Sequence, residues 1–298
     1  MRSAKLEYVL HILILMGIYL IAAVALNLVA GYTGLLSIAH AAFFGVGAYV
    51  VALLGLKLGY PFWISVPCAA ALTGLLGLAV SIPSLRVHDD YFILVTFGLQ
   101  VIATGVMTNW IAVTNGPMGL SGIPQPVLFG FVFDTHWSYL ALTWTFAIAV
   151  LLFCRNLVTA PFGRVLRAIR EDEVFAQAMG KNVIYYKVIV FAVAAGLAAI
   201  AGGLYASYVT FIDPTSFTVQ ESIFMLAIVI VGGAGNIWGT VVGAAALVAL
   251  PEALRFVGLP SAVAANTRQI MYGALLVLMM LFRPRGLLGE FDFRNTRG

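Results

Sequence analysis

The sequence predicts an all-α polytopic membrane protein that crosses the bilayer about eight to ten times, as a single transmembrane domain over residues 1–298. Hydrophobic residues make up 62% of the 298 positions and charged residues only 9%. The mean hydropathy is +1.03, far from the composition of a soluble domain. The charged residues are clustered, and the stretches between them are long enough as helices to span a hydrocarbon core of about 30 Å. These stretches are continuously apolar and do not alternate, which favours helices over barrel strands.

The predicted crossings follow one another along the whole chain. Between residues 8 and 56 the only side chains that could carry charge are His11 and His40, and none occurs from residue 58 to residue 85. The first apolar segment follows the short basic start MRSAKLEY and continues to about Ala30 without a convincing cleavage site, so we interpret it as a retained helix. Further apolar runs occupy residues 91–133, 137–154, 188–212, 222–251 and 269–282.

Composition and charge also exclude several classes of function. The two cysteines, Cys68 and Cys154, lie in apolar runs where a buried thiol is the ordinary explanation, so neither a disulfide framework nor a metal site is indicated. The formal net charge of +4 follows from membrane topology, and nucleic acid is not expected as a partner. A convincing cluster of His, Asp, Glu or Cys for a membrane-embedded enzyme is lacking, so we expect no catalytic residue and no cofactor bound by this chain.

Lysine and arginine mark the cytoplasmic side of a membrane protein. The stretch 155–187 and the C-terminal tail carry most of these residues, so both are expected inside the cell. The connections 114–136 and 208–220 contain no Lys or Arg and are expected outside. Working back from these anchors places the turn at 86–90 inside and the turn near Lys57 outside. The basic residues are Arg155, Arg164, Arg167, Arg170, Lys181 and Lys187, and in the tail Arg283, Arg285, Arg294 and Arg297.

The side of the N-terminus is ambiguous. Arg2 and Lys5 favour an internal N-terminus, which requires an even number of crossings between Ala30 and Lys57, and a single helix over residues 35–56 does not satisfy this. The stretch GYTGLLSIAHAAFFGVGAYV contains four glycines, so a broken or re-entrant path enclosed by protein is one solution. An external N-terminus is the other, because two positive charges orient a chain only weakly.

A second glycine-interrupted stretch, VGGAGNIWGTVVGAA, lies in the second half of the chain. Glycine in membrane helices is most often a packing residue that lets backbones approach closely, and we favour that interpretation for any single glycine. Two such stretches, one in each half, are nevertheless typical of a transporter built from related halves around a central pathway.

The longest polar stretch inside the hydrophobic body covers residues 161–187 and has helical spacing of its own. Pro161 suits a helix start and Gly180 a helix end. Two compatible interpretations fit this segment: a surface helix at the membrane interface, and a docking element for a soluble partner that combines a hydrophobic anchor with polar contacts. Its predicted apolar side comprises Val165, Leu166, Ile169, Val174, Phe175, Ala178 and Met179, and its solvated side Arg167, Arg170, Glu171 and Asp172.

Three stretches carry a resemblance to a known family. They are GYTGLLSIAHAAFFGVGAYV, FGRVLRAIREDEVFAQAMGKNV, and IDPTSFTVQESIFMLAIVIVGGAGNIWGTVVGAAALVALPEALR. Together and in this order they are similar to the branched-chain amino-acid permeases of bacterial ATP-binding-cassette (ABC) importers, in particular the LivM-type subunit, over nearly the whole chain. The resemblance implies the ABC importer permease fold, a place in the bacterial inner (cytoplasmic) membrane, and import of branched-chain or related hydrophobic amino acids.

The resemblance also implies a set of partners. These are a second homologous permease (LivH-like), two ATPase subunits that carry ATP-Mg, a periplasmic substrate-binding protein and the lipid bilayer. The chain has no G-x-x-x-x-G-K-[ST] phosphate loop, so we expect a non-catalytic subunit whose energy comes from another polypeptide.

By the same resemblance, the segment after Phe162 inserts into a cleft on the ATPase and transmits nucleotide-driven closure to the membrane helices. Ala176 and Gly180 keep the Ala-x-x-x-Gly spacing of the importer motif, whereas Glu173 lies one residue too early for its acidic position, so the key acidic contact is left open. The coupling residues implied are Arg164, Arg167, Glu171, Asp172, Glu173, Ala176 and Gly180.

Polar residues within membrane segments are costly and often functional. Hydrogen bonding between helices is the simpler explanation for each of them, and His40, beside Phe43 and Phe44, is the strongest single candidate for a pathway or gating position. The predicted translocation pathway comprises Asn27, His40, Phe43, Thr96, Gln100 and Asn236.

Two alternatives stay open. Relatives with this architecture also carry urea, short amides or aromatic acids, and nothing in these residues excludes such substrates. The alternative of another class is a secondary transporter driven by an ion gradient. Such a protein usually needs carboxylates near the bilayer midplane, whereas Glu221 and Glu252 lie near predicted segment ends.

Overall fold

The computed structural model describes residues 2–84, 89–128, 130–255, 261–283 and 286–289. Most of this part of the chain is helical, which confirms the all-α prediction. The predicted inside turn at Arg86, the side chain of Glu252, and the tail arginines Arg285, Arg294 and Arg297 lie outside the described residues. The helices are α1 (Arg2–Thr33), α2 (His40–Leu58), α3 (Phe62–Ser84), α4 (Asp89–Asn109), α5 (Ile111–Thr114), α6 (His136–Thr159), α7 (Pro161–Glu171), α8 (Glu173–Ala178), α9 (Val183–Val209), α10 (Val219–Gly232), α11 (Ile237–Arg255) and α12 (Ser261–Phe282).

Seven helices in the described part of the chain are long and apolar enough to cross a membrane. They are α1, α2, α3, α4, α6, α9 and α10, the last together with the 3-10 turn Pro214–Phe217 that precedes it. A shorter apolar helix covers Ile237–Leu250, and α12 adds another 22 residues. The polytopic membrane fold is therefore confirmed, and α11 and α12 are the helices that would bring the number of crossings to the predicted eight to ten.

Two helices form the centre of the bundle. α9 packs against α1, α2 and α3, while α1 also packs against α6, α10 and α11. Within the apolar windows of these helices, 67% of the α9 residues and 61% of the α1 residues are buried, against 22% for α4. The apolar side chains of α4 are therefore left for lipid or for another subunit, whereas those of α1 and α9 make the core.

Glycines bring the backbones of α2 and α9 together. A Cβ on Gly47 would overlap the backbone of Ala199, and a Cβ on Gly202 would overlap the carbonyl oxygen of Phe44. This agrees with the packing interpretation of glycine in membrane helices. The glycine-rich stretch suggested a break that could include Gly45 and Gly47. Both residues instead lie inside the continuous helix α2, so neither breaks the chain.

Short strands mark one face of the bundle. β1 (Leu120–Ser121) pairs antiparallel with β4 (Phe211–Ile212), and β2 (Val127–Leu128) pairs with β3 (Phe131–Val132). The two connections expected outside thus meet each other. The end of α2 lies at the same face, because Lys57 Nζ donates to the carbonyl of Ala112 in α5 at 3.2 Å. We call this end, residues 111–135 and 210–213, the strand face. α6 leads from it to the opposite end, residues 159–183, the coupling face, and α9 leads back.

The direction of α1 shows at which end of the bundle the N-terminus lies. Near its start, His11 Nδ1 and the Tyr208 hydroxyl are 2.7 Å apart, next to the strand face. Near its end, Arg170 Nη1 donates to the carbonyl of Gly31 at 2.7 Å, on the coupling face. The chain therefore starts on the strand face, opposite to residues 161–187, so the N-terminus and that segment do not lie on the same side as the basic residues of both would require.

The described part of the C-terminal tail lies on the coupling face, as expected. The backbone N–H groups of Leu287 and Leu288 donate to the carbonyls of Val231 and Gly232 at 2.9 and 3.0 Å. These carbonyls belong to the last turn of α10, so the tail closes the end of that helix and lies on the same side as residues 161–187.

The chain breaks after α1 and re-enters the bundle. Gly34 adopts a φ of +77°, residues 34–39 are not helical, and α2 begins with the His40 ring against the backbone of Ala22. Eleven residues separate Ala22 from Thr33, about 16 Å of helix, or roughly half of a 30 Å hydrocarbon core. The predicted broken path is thus confirmed and confined to residues 34–39, and α2 starts in the membrane interior.

Candidate functional site

Side chains from two other helices hold the start of α2 in the membrane interior. The Ala41 N–H donates to Ser222 Oγ at 2.8 Å, and the Ala42 N–H donates to Gln100 Oε1 at 2.7 Å. The first N–H groups of any helix lack intrahelical partners, and no water is available in the hydrocarbon to replace them. Ser222 on α10 and Gln100 on α4 therefore supply the acceptors that make an interior helix start possible.

Gln100 and Thr96 were predicted to line the pathway, and both are fully buried. Gln100 Nε2 donates to the carbonyl of Phe217 at 2.8 Å, so this side chain joins the start of α2 to the turn before α10. The Thr96 hydroxyl accepts from the N–H of Ile38 at 3.2 Å. The structure thus gives both residues hydrogen bonds between helices, and their pathway role stays a prediction.

His40 and Phe43 lie on the first turn of α2. His40 is 2% exposed, and its Nε2 has no hydrogen-bond partner among the described residues. Phe43 packs edge-on against Phe191 of α9, with ring centroids 5.5 Å apart. Both side chains therefore lie just after the first break, and their role in a pathway or gate stays a prediction.

Asn27 ties α1 to a second break, residues 233–236, between α10 and α11. Its Oδ1 accepts from the Gly235 N–H at 3.0 Å, and its Nδ2 donates to the Asn236 carbonyl at 3.1 Å and to Thr240 Oγ1 at 2.8 Å. Asn27 is fully buried, so all polar atoms of its amide are used in holding this turn.

Asn236 caps the helix that follows the second break. Its Oδ1 accepts from the N–H of Trp238 at 2.9 Å, and its Nδ2 donates to the Leu288 carbonyl at 2.7 Å. The turn uses two glycines with positive φ, Gly233 at 117° and Gly235 at 81°. The predicted pathway residue Asn236 therefore has a structural role at the coupling face, and its part in a pathway stays a prediction.

An open groove of about 580 Å³ follows the outer side of α4 up to the start of α10. None of the six predicted pathway residues is among its lining residues. Sequence reasoning missed it because a groove wall with this composition cannot be told from a lipid-facing surface. It combines apolar side chains with hydroxyl and amide groups: Phe97, Val101, Thr104, Gly105, Thr108, Asn109, Thr218, Val219 and Gln220.

Glu221 lies at the start of α10, inside the bundle. It accepts from the Tyr19 hydroxyl at 2.9 Å and is next to Ser222, which bonds to the start of α2. Because the start of α2 lies in the interior, so does this carboxyl group, although it is close to a helix end. Among the described residues, no group of three or more His, Cys, Asp or Glu side chains is placed to hold a metal ion.

The polar segment 161–187 contains two helices rather than one. Pro161 is the first residue of α7, and Gly180 follows α8 with a φ of 76°, so both predicted boundaries are confirmed. Between them Asp172 is extended, and its Oδ1 accepts from the Phe175 N–H at 2.8 Å. A side-chain acceptor at this position is the usual cap of a helix start, so Asp172 ends α7 and begins α8.

The predicted apolar side of this segment is divided between two surfaces. Leu166, Ile169 and Ala176 are buried, and Ile169 and Ala176 cluster with Val183 at the start of α9. Ala176, one of the predicted coupling residues, is 2% exposed and anchors the segment, and its part in coupling stays a prediction. Val165 packs against this cluster. Ala178 is exposed, and Val174, Phe175 and Met179 face away from the bundle, exposed by 76%, 61% and 66%. We call these three the apolar tip.

The charged residues of the segment also fall into two groups, one exposed and one held against the bundle. Arg164, Glu171 and Asp172 are exposed, as is Gly180. Glu173 is held inward by Lys187, with 2.5 Å between its Oε2 and the Lys187 Nζ.

The half-buried Arg167 donates to the carbonyl of Val158, at the end of α6, at 3.3 Å. Glu171, whose side chain is 72% exposed, and Asp172 are therefore the acidic residues left on the outer surface of this segment.

Arg170 was placed on the solvated side, and the structure corrects this. Its side chain is 7% exposed, because it reaches under α7 to the end of α1 and donates to the Gly31 carbonyl. The spacing of charges along α7 gave no signal for this, since Arg167 and Arg170 occupy equivalent positions in the pattern. Only the position of the end of α1 separates them.

Comparison with known proteins agrees with this arrangement. The family model described as branched-chain amino acid transport system / permease component matches residues 8–280. The high-affinity branched-chain amino acid transport system permease protein LivM of Escherichia coli (strain K12) is 35% identical over 294 residues, which cover 91% of this chain and 68% of that protein.

Two other relatives match over most of their length. The probable branched-chain amino acid transport permease protein LivM of Methanocaldococcus jannaschii is 26% identical, covering 96% of this chain and 94% of that protein. The Escherichia coli (strain K12) permease protein LivH is 25% identical, with 91% of each chain covered. No solved structure matches the chain. The chain belongs to the family of permease components of branched-chain amino acid ABC transport systems.

Proposed function

We propose that this chain is the non-catalytic permease subunit that moves branched-chain or related hydrophobic amino acids from a periplasmic binding protein into the cytoplasm. The observation that carries the proposal is the segment 161–187. It presents a solvated apolar tip, surrounded by charged residues, on the face opposite to the strand face. Such a tip is costly in water and typical of a docking site.

The partner proposed for this tip is an ATPase, one of two that carry ATP-Mg, because the chain has no phosphate loop of its own. Phe175 and its neighbours supply the hydrophobic anchor, while Arg164, Glu171 and Asp172 supply exposed charges beside it. Ala176 and Glu173 act from behind by fixing the segment to α9. This division assigns docking to the outer surface and rigidity to the inner one.

The positive-inside rule sets the proposed orientation. It places the coupling face, with residues 161–187 and the C-terminus, in the cytoplasm, and the strand face in the periplasm. The binding protein then delivers its substrate at the strand face of a bacterial inner-membrane complex.

A second, LivH-like permease is proposed to close the groove along α4 and complete the pathway. The low burial of α4, at 22%, supports this, since an apolar helix with polar residues such as Thr108 and Asn109 on an open groove suits a chain partner better than lipid. In the resulting cycle the loaded binding protein docks, ATP draws the ATPases together, and the segment tilts the membrane helices. A His40→Ala variant that assembles and transports normally would remove His40 from the gate.

The main rival is still a secondary transporter. The sequence argued against a secondary transporter because Glu221 lies near a helix end and not near the bilayer midplane. This argument is weaker in the structure, because α10 begins in the interior. The two mechanisms differ in their energy source. Uptake into liposomes by the assembled complex should require ATP and the binding protein, and uptake driven by an ion gradient without ATP would establish the rival.

Charge reversal of Glu171 tests the docking step. Glu171→Lys should leave insertion and assembly intact, because the side chain is 72% exposed, and should lower uptake about tenfold, as expected for loss of one charged interface contact. Arg155→Glu, an exposed charge reversal at the end of α6, is the control. Normal coupling in Glu171→Lys would contradict docking at this surface.

The substrate class is tested separately. The cognate binding protein is expected to bind leucine, isoleucine or valine, and binding of urea, short amides or aromatic acids instead would assign one of the alternative substrates. This measurement leaves the coupling proposal untouched.

A further inference from the structure

The guanidinium group of Arg170 lies where three parts of the molecule meet. Nη1 donates to the Gly31 carbonyl in the last turn of α1 at 2.7 Å. Nη2 lies 3.9 Å from Glu171 Oε1. A positive charge at the C-terminal end of a helix is favourable, because the last carbonyls lack intrahelical partners. Arg170 therefore joins the exposed surface of α7 to the buried end of α1.

Both breaks leave room for this side chain. A Cβ on Gly235, in the second break, would lie 2.6 Å from Arg170 Nη1 and 3.1 Å from the Gly31 carbonyl oxygen. A Cβ on Gly34, which opens the first break, would lie 3.4 Å from Arg170 Cγ. The glycines at the two breaks thus form the sides of the slot that holds Arg170.

Arg170 differs in this respect from the other described arginines of the segment. Arg164 is exposed, and Arg167 donates to Val158 of the adjoining helix α6. The Arg167 contact is nine residues away in sequence. Arg170 contacts backbone 139 residues away in sequence, at the point from which residues 34–39 lead to the interior start of α2.

We propose that Arg170 is the positioning residue that transmits movement of the segment 161–187 to both breaks. This rests on the proposed function, since it takes docking at Glu171 and the apolar tip as its input. When a docked partner displaces Glu171, the adjacent guanidinium group of Arg170 moves. The end of α1 and the turn at Gly235, which contact this group, then move with it. Residues 34–39 then move the start of α2, where His40 and Phe43 lie.

The experiment uses the full importer: this chain with its permease partner, both ATPases and the binding protein in liposomes. Arg170→Met keeps the approximate length of the side chain and removes the charge. Arg170→Lys keeps the charge but loses the planar guanidinium group with its several N–H donors. Arg155→Met is the matched control at an exposed site. In Arg170→Met we expect ATP hydrolysis that the loaded binding protein no longer stimulates, and uptake lowered about tenfold, the ratio for roughly one lost charge-assisted hydrogen bond. Arg170→Lys should restore part of both.

A second measurement reads the transmitted movement without transport. Ile38 lies in the first break and is half-buried, so Ile38→Cys, in a chain with Cys68→Ala, reports the exposure of this segment to a maleimide. We expect its labelling rate to differ between nucleotide-free and vanadate-trapped complexes when Arg170 is present, and to be the same in both when residue 170 is methionine.

Either of two results would overturn the proposal. One is normal stimulation and uptake in Arg170→Met, and the other is a labelling rate at position 38 that does not depend on nucleotide in the chain that keeps Arg170. Failure of the proposed function looks different: wild-type complexes would not respond to a leucine-loaded binding protein, while the labelling at position 38 would still respond to ATP. If Arg170→Met does not assemble, Arg170→Lys and the labelling in the unsubstituted chain decide the question.

Discussion

The two breaks share a sequence signature but are stabilised in different ways. Each turns at glycines with positive φ, Gly34 at 77° in the first and Gly235 at 81° in the second. After the first break, α2 starts in the interior with N–H groups bonded to side chains of α4 and α10. After the second, α11 starts at the coupling face with its own Asn236 as the cap.

The depth of a break explains this difference. At the surface a helix start can use a local side chain or water, so a single capping residue is enough. In the hydrocarbon, every N–H group needs an acceptor supplied by the protein, and Gln100 and Ser222 provide them from distant parts of the chain. The start of α2 should therefore depend on the side chains of α4 and α10, whereas the start of α11 should tolerate the loss of its cap.

The largest expected effect comes from the interior acceptor. Gln100→Leu keeps the volume but removes the 2.7 Å bond from the Ala42 N–H and the 2.8 Å bond to the Phe217 carbonyl. These two groups keep only their bonds to the Ala39 carbonyl at 3.0 Å and from the Thr104 hydroxyl at 3.3 Å, so the loss is about 1 kcal/mol for each bond removed. We expect a clearly lower apparent Tm of the purified chain in detergent and less inserted protein. Gln220→Leu, the same change at an exposed position of the neighbouring groove, is the control. Equal Tm values for the two variants would contradict the role given to depth.

A smaller effect is expected from the glycines of the two turns. Gly235→Ala forces a left-handed backbone, at about 1–2 kcal/mol, and brings its Cβ within 2.6 Å of Arg170. Gly34→Ala has the same backbone cost but only a 3.4 Å contact. We expect the Tm to fall more for Gly235→Ala, and to be unchanged or higher for Gly98→Ala, which lies in α4 with nothing within 4 Å of its Cβ. A larger loss at Gly34 would show that the slot around Arg170 is not tightly packed.

The sequence predicted the parts of this fold that depend on composition and local signals. Continuous apolar runs predicted the membrane helices, and Pro161 and Gly180 predicted a helix start and a helix end within residues 161–187. Glycine content predicted a break after α1 but not its limits, because Gly45 and Gly47 in the same stretch pack inside α2. A glycine that turns the chain and one that admits a neighbouring helix look the same until the neighbour is known.

The features that the sequence did not predict depend on contacts between residues that are distant in the chain. Arg170 and Arg167 alternate with buried residues in the same way along α7, and only the end of α1 makes one of them buried. Thr96 and Gln100 were selected as polar residues within membrane segments, but their bonds to Ile38 in the first break and to the start of α2 could not be anticipated. The groove on the other side of α4 was missed because its apolar wall has the same composition as a lipid-facing surface.

The smallest effect is expected at the surface cap. Asn236→Ala removes the acceptor for the Trp238 N–H and the donor to Leu288, a loss of about 1 kcal/mol for a helix cap. Water at the coupling face can replace both bonds, so the Tm should fall by less than in Gln100→Leu, and insertion should be unchanged. Asn109→Ala, whose amide bonds within its own helix to Gly105, is the control for loss of a polar side chain. If Asn236→Ala were as damaging as Gln100→Leu, depth would not be what separates the two breaks, and the bond between Asn236 and the C-terminal tail would have to hold the coupling face together.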